Sequence, residues 1–209
     1  MGFAGFGEEA LTFYDRLELE NTREYWHSAK DVYERAVRAP MAALTAELAA
    51  EFGPAKLFRP NRDVRFREDK SPYKTHQGAF VRLGEALGYY VQVSSGGVLA
   101  GAGFYAASPE RLAAFRSAVA GPAGDVFERL VREATAFGLE LQGDTLKTAP
   151  RGYDRDHPRI ALLRHRNLSL MRDHGFGPVI SGPGLVDAVR ADWRAARPVM
   201  EWLDAAMAT

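Results

Sequence analysis

At Gly53-Pro54 the hydrophobic pattern of this chain changes period, and that switch restricts the fold more than any other feature. Before it, apolar side chains recur every three to four residues, as one face of a helix requires; after it they fall into short β-branched and aromatic runs. Residues 8–19 put Leu11, Phe13, Tyr14 and Leu17 on one helical face. A second helix is expected from Asn21, a good N-cap with Glu24 three positions later, through Tyr25, Trp26, Ala29, Val32, Tyr33, Ala36 and Val37. Pro40 ends or kinks it, and Met41, Leu44, Leu48 and Phe52 carry the helical stripe on to the break. Strands are predicted over residues 56–59, 64–67, 75–83, 89–94 and 98–105, with Gly96-Gly97 supplying the positive φ angles of a hairpin turn.

Beyond residue 105 the helical period returns. Ser108 and Pro109 fit the N-cap and first turn of a helix that buries Leu112, Phe115, Ala118 and Val119 and stops at Gly121-Pro122. Another helix, over 124–137, takes Asp125 as its cap and turns Val126, Phe127, Leu130, Val131 and Ala134 inward. Residues 139–146 read as a short hairpin around Gly143-Asp144, residues 157–163 as a brief helix opened by His157-Pro158, and residues 185–207 as a last helix bent at Pro198. Strands in one block and helices in others predict an α+β fold, a mostly antiparallel central sheet with N-terminal and C-terminal helices packed on it. Residues 1–209 are expected to form a single domain, and no repeat or linker divides them.

Composition removes several function classes. The chain has no cysteine, which rules out thiol catalysis and thiolate ligation of zinc or iron–sulfur clusters. Lysine plus arginine balances aspartate plus glutamate at 27 each, so no global field draws the chain to nucleic acid. The longest apolar stretch, from Met41 to Ala50, is broken by Thr45 and Glu47 and is too short to span a bilayer, so no membrane partner is expected. The first residues lack the basic and long apolar regions of a secretory signal, and a cytoplasmic location is expected. Nucleophile elbow, phosphate-binding loop, dinucleotide fingerprint and His-Glu-x-x-His helix are all missing, so the pattern assigns no reaction and names no cofactor. The five histidines are scattered, and no metal is expected from His76 with Asp63 or Asp69.

Charge nevertheless clusters locally. Between Lys56 and His76, seven Lys and Arg side chains face three Asp and Glu, a net charge of +4 in a chain that is neutral as a whole. If Val64 lies on a strand, Asp63, Arg65 and Arg67 point to one face and Val64 and Phe66 to the other, with Phe66 buried. The pattern Arg59-x-x-Arg62-Asp63-x-Arg65-Phe66-x-x-Asp69-Lys70-x-x-Tyr73 resembles the signature of a bacterial family known as domain of unknown function 2461. The likeness extends to Asn21-Thr22-Arg23-Glu24-Tyr25-Trp26, Gly88-Tyr89-Tyr90-Val91, Pro150-Arg151-Gly152-Tyr153 and Asp156-His157-Pro158. The pair Tyr25-Trp26 departs from the Trp-Phe order more usual in that family. The resemblance implies a family and no activity.

Two readings of the motif compete. In one, Arg59, Arg62, Arg65 and Lys70 pair with Asp63, Asp69 and helix carboxylates such as Glu24 in a buried network that sets sheet register. In the other they form an anion pocket completed by Tyr73, Lys74 and His76, because guanidinium groups suit bidentate contact with phosphate or carboxylate. A small phosphate-bearing ligand is the first expectation, and a nucleic acid or protein partner using the same face with exposed Tyr73 or Tyr105 is the alternative. Gly101 and Gly103 leave one face of their strand bare, either to admit a ligand or to accommodate a bulky neighbour such as Tyr89 or Trp26. Lys147, Arg151 and His157 form a second basic loop, from which Arg151 joins the candidate ligand-binding residues. Ligand identity and oligomeric state are not encoded in any motif of the chain.

Overall fold

A computed structural model describes residues 2–65 and 68–208. Three N-terminal helices, α1 (Glu8–Leu19), α2 (Arg23–Val32) and α3 (Ala39–Phe52), precede the strands β1 (Ala55–Leu57), β2 (His76–Gly84), β3 (Leu87–Ser94) and β4 (Gly97–Phe104). Helices α4 (Pro109–Ala120) and α5 (Ala123–Ala136), strand β5 (Glu140–Gln142), helix α6 (Ile160–Leu163), strand β6 (Leu168–Gly175) and helix α7 (Gly184–Met207) complete the fold. The strands form one six-stranded antiparallel sheet in the order β1-β2-β3-β4-β6-β5, so the α+β expectation holds. Among the described residues no helix is long and apolar enough to cross a membrane.

The chain divides into two compact units. Met1–Val81, Tyr90–Ala100 and Asp173–Arg190 make the first, and Arg82–Tyr89, Gly101–Arg172 and Ala191–Thr209 the second. In the first unit, Phe13 and Tyr14 of α1, Trp26 of α2 and Tyr33 after it build an aromatic core in which Trp26 and Tyr33 ring centroids lie 4.8 Å apart. That core meets β2 through a polar link, since the Tyr33 hydroxyl donates to the buried Gln77 side chain at 2.5 Å. Period-two alternation sorts the sheet here: Gln77, Ala79, Val81, Val91 and Val93 are buried, while His76, Phe80, Tyr90 and Gln92 between them are partly exposed.

Three local expectations are corrected in the first unit. Thr22, not Asn21, caps α2, its hydroxyl accepting the Tyr25 N–H at 3.1 Å, because the Asn21 amide is engaged elsewhere. Pro40 does not end the helix: a π-helical turn over Tyr33–Arg38 joins α2 to α3, with the Ala39 N–H bonding Glu34 five residues back. Widening the ladder just ahead of Pro40 moves carbonyls away from the ring and absorbs its missing donor. The strand expected over residues 64–67 is not found at Val64 and Arg65, which lie in a loop, while Phe66 and Arg67, with the burial expected of Phe66, fall outside the described residues. The hairpin does form, turning at Ser95-Gly96, and Gly97 follows at φ 104°.

The second unit packs Phe104 of β4, Phe115 of α4 and Phe127 of α5 against one another, and Trp202 of α7 against Phe127 at 4.3 Å between centroids. Trp193 of α7 stacks on Tyr89 of β3, and α7 runs unbroken through Pro198. Ser108 caps α4 and Pro109 opens it as expected. Asp125 does not cap α5; it pairs at 2.5 Å with Arg159, whose guanidinium also closes the carboxyl end of α4 on the carbonyls of Val119, Ala120 and Gly121. Val126 is turned outward, 42% exposed. The hairpin expected over residues 139–146 is absent, because β5 pairs with β6, Leu141 opposite Leu170. Asn167 causes this: its side chain accepts from Asp144 N–H and donates to the Asp144 carboxylate, drawing the chain past Gly143 instead of back on itself.

Strand β6 itself has no clear sequence signal beyond Leu168-Ser169-Leu170, since charged Arg172, Asp173 and His174 interrupt the alternation. It also accounts for two glycines. A Cβ at Gly101 would lie 2.1 Å from the Leu170 carbonyl oxygen, and one at Gly103 2.1 Å from that of Leu168. The bare strand face is occupied by the neighbouring backbone, so it neither admits a ligand nor receives Tyr89 or Trp26.

Candidate functional site

The cationic segment leaves the sheet after β1 and returns into β2, and backbone bonds close its two ends on each other. Phe58 N–H reaches the Gly78 carbonyl at 2.9 Å, while Arg62 N–H to Pro72 and Lys74 N–H to Pro60, both at 2.8 Å, flank an antiparallel bridge between Asn61 and Tyr73. Tyr73 is the anchor. The Asn21 side chain donates to the Tyr73 carbonyl and accepts from its N–H, each at 3.0 Å, standing in for one residue of a neighbouring strand. The Tyr73 ring stacks on Trp26 with centroids 4.2 Å apart and planes inclined by 10°. Buried at 6% exposure, Tyr73 offers no surface for a nucleotide base, contrary to its role in the nucleic-acid reading.

Within the loop, some cations are held by near neighbours. Arg65 grips Asp63 through two hydrogen bonds of 2.9 and 2.6 Å, and the Lys70 ammonium donates to the Val64 carbonyl at 3.1 Å. Arg62 pairs with Asp69, whose carboxylate is mostly exposed and is held below the usual range by the Ser71 hydroxyl and amide ahead of the Arg62 guanidinium. These pairs are local and solvent-facing, unlike the expected buried network reaching Glu24.

Around His76 the charges converge differently. Lys74 donates to the Arg59 carbonyl at 3.0 Å, its ammonium 5.2 Å from the Phe58 ring centroid. Burial, and then the positive charges of Arg59 and Arg62, push the Lys74 amine below its ordinary range. His76 is lowered too, by burial first and then by Lys74 and Arg62. Arg59 makes no side-chain hydrogen bond or ion pair among the described residues, which leaves its five donors to solvent or a ligand. The structure therefore brings Arg59, Arg62, Lys74 and His76 together, with Asp69 as the one carboxylate bonded to any of them among the described residues. Such a cluster favours an anion, because like charges near a partly desolvated group raise the local potential.

A model of the family described as conserved hypothetical protein (DUF2461) matches residues 9–202. The chain belongs to that family. No curated protein and no solved structure matches it. In this DUF2461 protein, two of the segments that carried the resemblance meet physically, Asn21 and Trp26 of the first holding Tyr73 of the second. Tyr105, 75% exposed, and Arg151 belong to the second unit. Among the described residues, no three His, Asp or Glu side chains are grouped to hold a metal.

The charge pattern of the loop does not reveal the aromatic sheet surface beside the cluster. Phe58 and Tyr90 approach to 6.2 Å between centroids, and the Tyr90 hydroxyl donates to Gln92 at 2.8 Å. The signal was present in the alternation of β2 and β3, where aromatic and polar residues alternate with Ala and Val instead of with charge.

Proposed function

We propose that this DUF2461 protein binds a small phosphate- or carboxylate-bearing ligand through Arg59, Arg62, Lys74 and His76. The convergence of Lys74 and Arg62 on a half-buried imidazole, with Arg59 acting on Lys74, carries the reading. Asp63, Arg65, Lys70 and Tyr73 serve it as framework, holding the loop in the shape that presents Arg59 and Arg62. Thermal melts with and without millimolar inorganic phosphate test it, since a ligand bound only by the native state raises the melting temperature. Phosphate stabilises the wild type in this reading, and Arg59→Ala abolishes that response without lowering the melting temperature in its absence. Arg62→Ala likewise leaves stability close to wild type, because the Asp69 carboxylate it releases is already exposed to water. A wild type indifferent to phosphate, sulfate and small carboxylates removes the proposal.

The His76 shift gives the site a pH dependence. Its folded-state pKa lies below the ordinary 6.5, so as pH falls the unfolded chain takes up this proton first. Stability contributed by the neutral imidazole is complete above the ordinary value and is lost as pH drops toward the folded-state value. A bound anion reverses the repulsion from Lys74 and Arg62 and raises the His76 pKa, so binding takes up a proton. Sulfate affinity, measured by calorimetry between about pH 8 and about pH 5.5, increases toward the acid end, and His76→Gln flattens that slope. A slope unchanged in His76→Gln assigns the proton elsewhere and removes His76 from the site.

A further inference from the structure

We infer that Lys74 is a nucleophilic amine and that the ligand of this site is a 2-oxo acid, held by its carboxylate on Arg59 and Arg62 and joined through its carbonyl carbon to Lys74 as an imine. The inference rests on the anion-binding reading and adds the ligand's second functional group and the bond it forms. All the residues it uses belong to the first unit. The bridge between Asn61 and Tyr73 sets the geometry. Hydrogen-bonded pairs flank it, Arg62 with Pro72 and Lys74 with Pro60, so strand alternation puts Arg62 and Lys74 on one face and the buried Tyr73 on the other. The Lys74 amine reaches the Arg59 carbonyl at 3.0 Å, which brings it to the residue whose guanidinium has no side-chain partner among the described residues.

Lys74 differs from every other lysine of the chain. Lys30, Lys56, Lys70 and Lys147 are exposed, whereas Lys74 is partly buried, its nitrogen 5.2 Å from the centroid of the Phe58 ring. No carboxylate pairs with it among the described residues, and the Arg59 carbonyl accepts an N–H from the neutral amine as readily as from the ammonium. Burial and the charges of Arg59 and Arg62 hold the amine below its ordinary range, which frees the lone pair that attack on a carbonyl needs. In a 2-oxo acid the carbonyl carbon is bonded directly to the carboxylate carbon, so a carboxylate docked on the guanidinium groups carries the electrophile to the amine. The ammonium sheds a proton to water, the nitrogen adds to the carbonyl carbon, and one of its remaining protons passes to the carbonyl oxygen. That oxygen takes up a proton from water and leaves as water, so the C=O bond is exchanged for a C=N bond. The product is a protonated imine, one positive charge in place of another, and the step leaves the charge of the site unchanged.

Incubation of the full chain with pyruvate and cyanoborohydride, followed by peptide mass mapping, tests the inference, because hydride reduces the imine to a stable carboxyethyl amine on whichever lysine formed it. Lys74 carries this mark in about tenfold or greater excess over each exposed lysine, since the docked carboxylate gives it an effective concentration of carbonyl that they lack. Lactate has the same carboxylate but a hydroxyl in place of the carbonyl. It raises the melting temperature as pyruvate does, and in excess it suppresses the mark at Lys74 alone. Arg59→Ala lowers labelling of Lys74 to the level of the exposed lysines, which serve as a reference within the same molecule. Labelling spread evenly over the five lysines overturns the imine. The anion site then stands if lactate or phosphate still raises the melting temperature, and falls if neither does. Excess labelling of Lys74 that persists in Arg59→Ala or under saturating lactate shows an amine reactive without the arginines, and overturns the oxo-acid assignment.

Discussion

Trp26→Ala lowers the stability of the folded chain by about 3–5 kcal/mol, the usual cost of truncating a buried aromatic. Trp26 is 7% exposed and contacts three rings, Phe13, Tyr33 and Tyr73, so the void it leaves cannot close by the movement of one neighbour. Because β2, β3, β4, β6 and α7 each contribute residues to both units, we propose that the chain unfolds as one domain. Urea denaturation followed by far-ultraviolet circular dichroism and by fluorescence then gives a single coincident transition, displaced to lower denaturant in the variant. Two separated transitions, of which only one moves, refute the single-domain proposal. The same substitution reaches the candidate site, since Tyr73 loses the stacking partner that, with Asn21, holds the loop ends together. Phosphate response therefore weakens in Trp26→Ala even at temperatures where the variant is folded, whereas Phe115→Ala, in the second unit, lowers stability without weakening it.

Gly101→Ala costs about 3 kcal/mol, the upper end of what overpacking costs in a close-packed interior. Its Cβ would meet the Leu170 carbonyl oxygen at 2.1 Å and the Met171 Cα at 2.8 Å. These are backbone atoms of a paired strand, so no side-chain rotation relieves the contact and β6 has to move. Hydrogen exchange locates the damage: amides of residues 168–172 lose protection in the variant, while those of α1 keep theirs after allowance for the global loss. A variant as stable as wild type with β6 still protected refutes the packing described for these strands.

How far the chain could be read without its structure follows the range of the interactions concerned. Helix periodicity and the Ser108 cap with Pro109 are written in adjacent residues and have the local form their sequence suggests, and the hairpin forms one residue earlier than Gly96-Gly97 implies, at Ser95-Gly96. Asn21 failed as a cap for a reason 52 positions away, where the backbone of Tyr73 offers its amide two hydrogen bonds at once. Gly143-Asp144 has the form of a hairpin turn that would pair β5 within its own segment, yet Asn167 holds Asp144 and the strand pairs with β6. The charged loop shows the same division. Its composition announces a cationic feature, but Coulomb interaction depends on distance in space, and only closure of the loop by Asn61 and Tyr73 separates the two fates of its cations. Arg65 and Lys70 are satisfied by the loop itself, while Arg62 and Lys74 face His76 and Arg59 faces Lys74. Residue type along the chain determined which charges and rings were available, and tertiary pairing decided which of them face one another, because that depends on strands and loop ends distant in sequence.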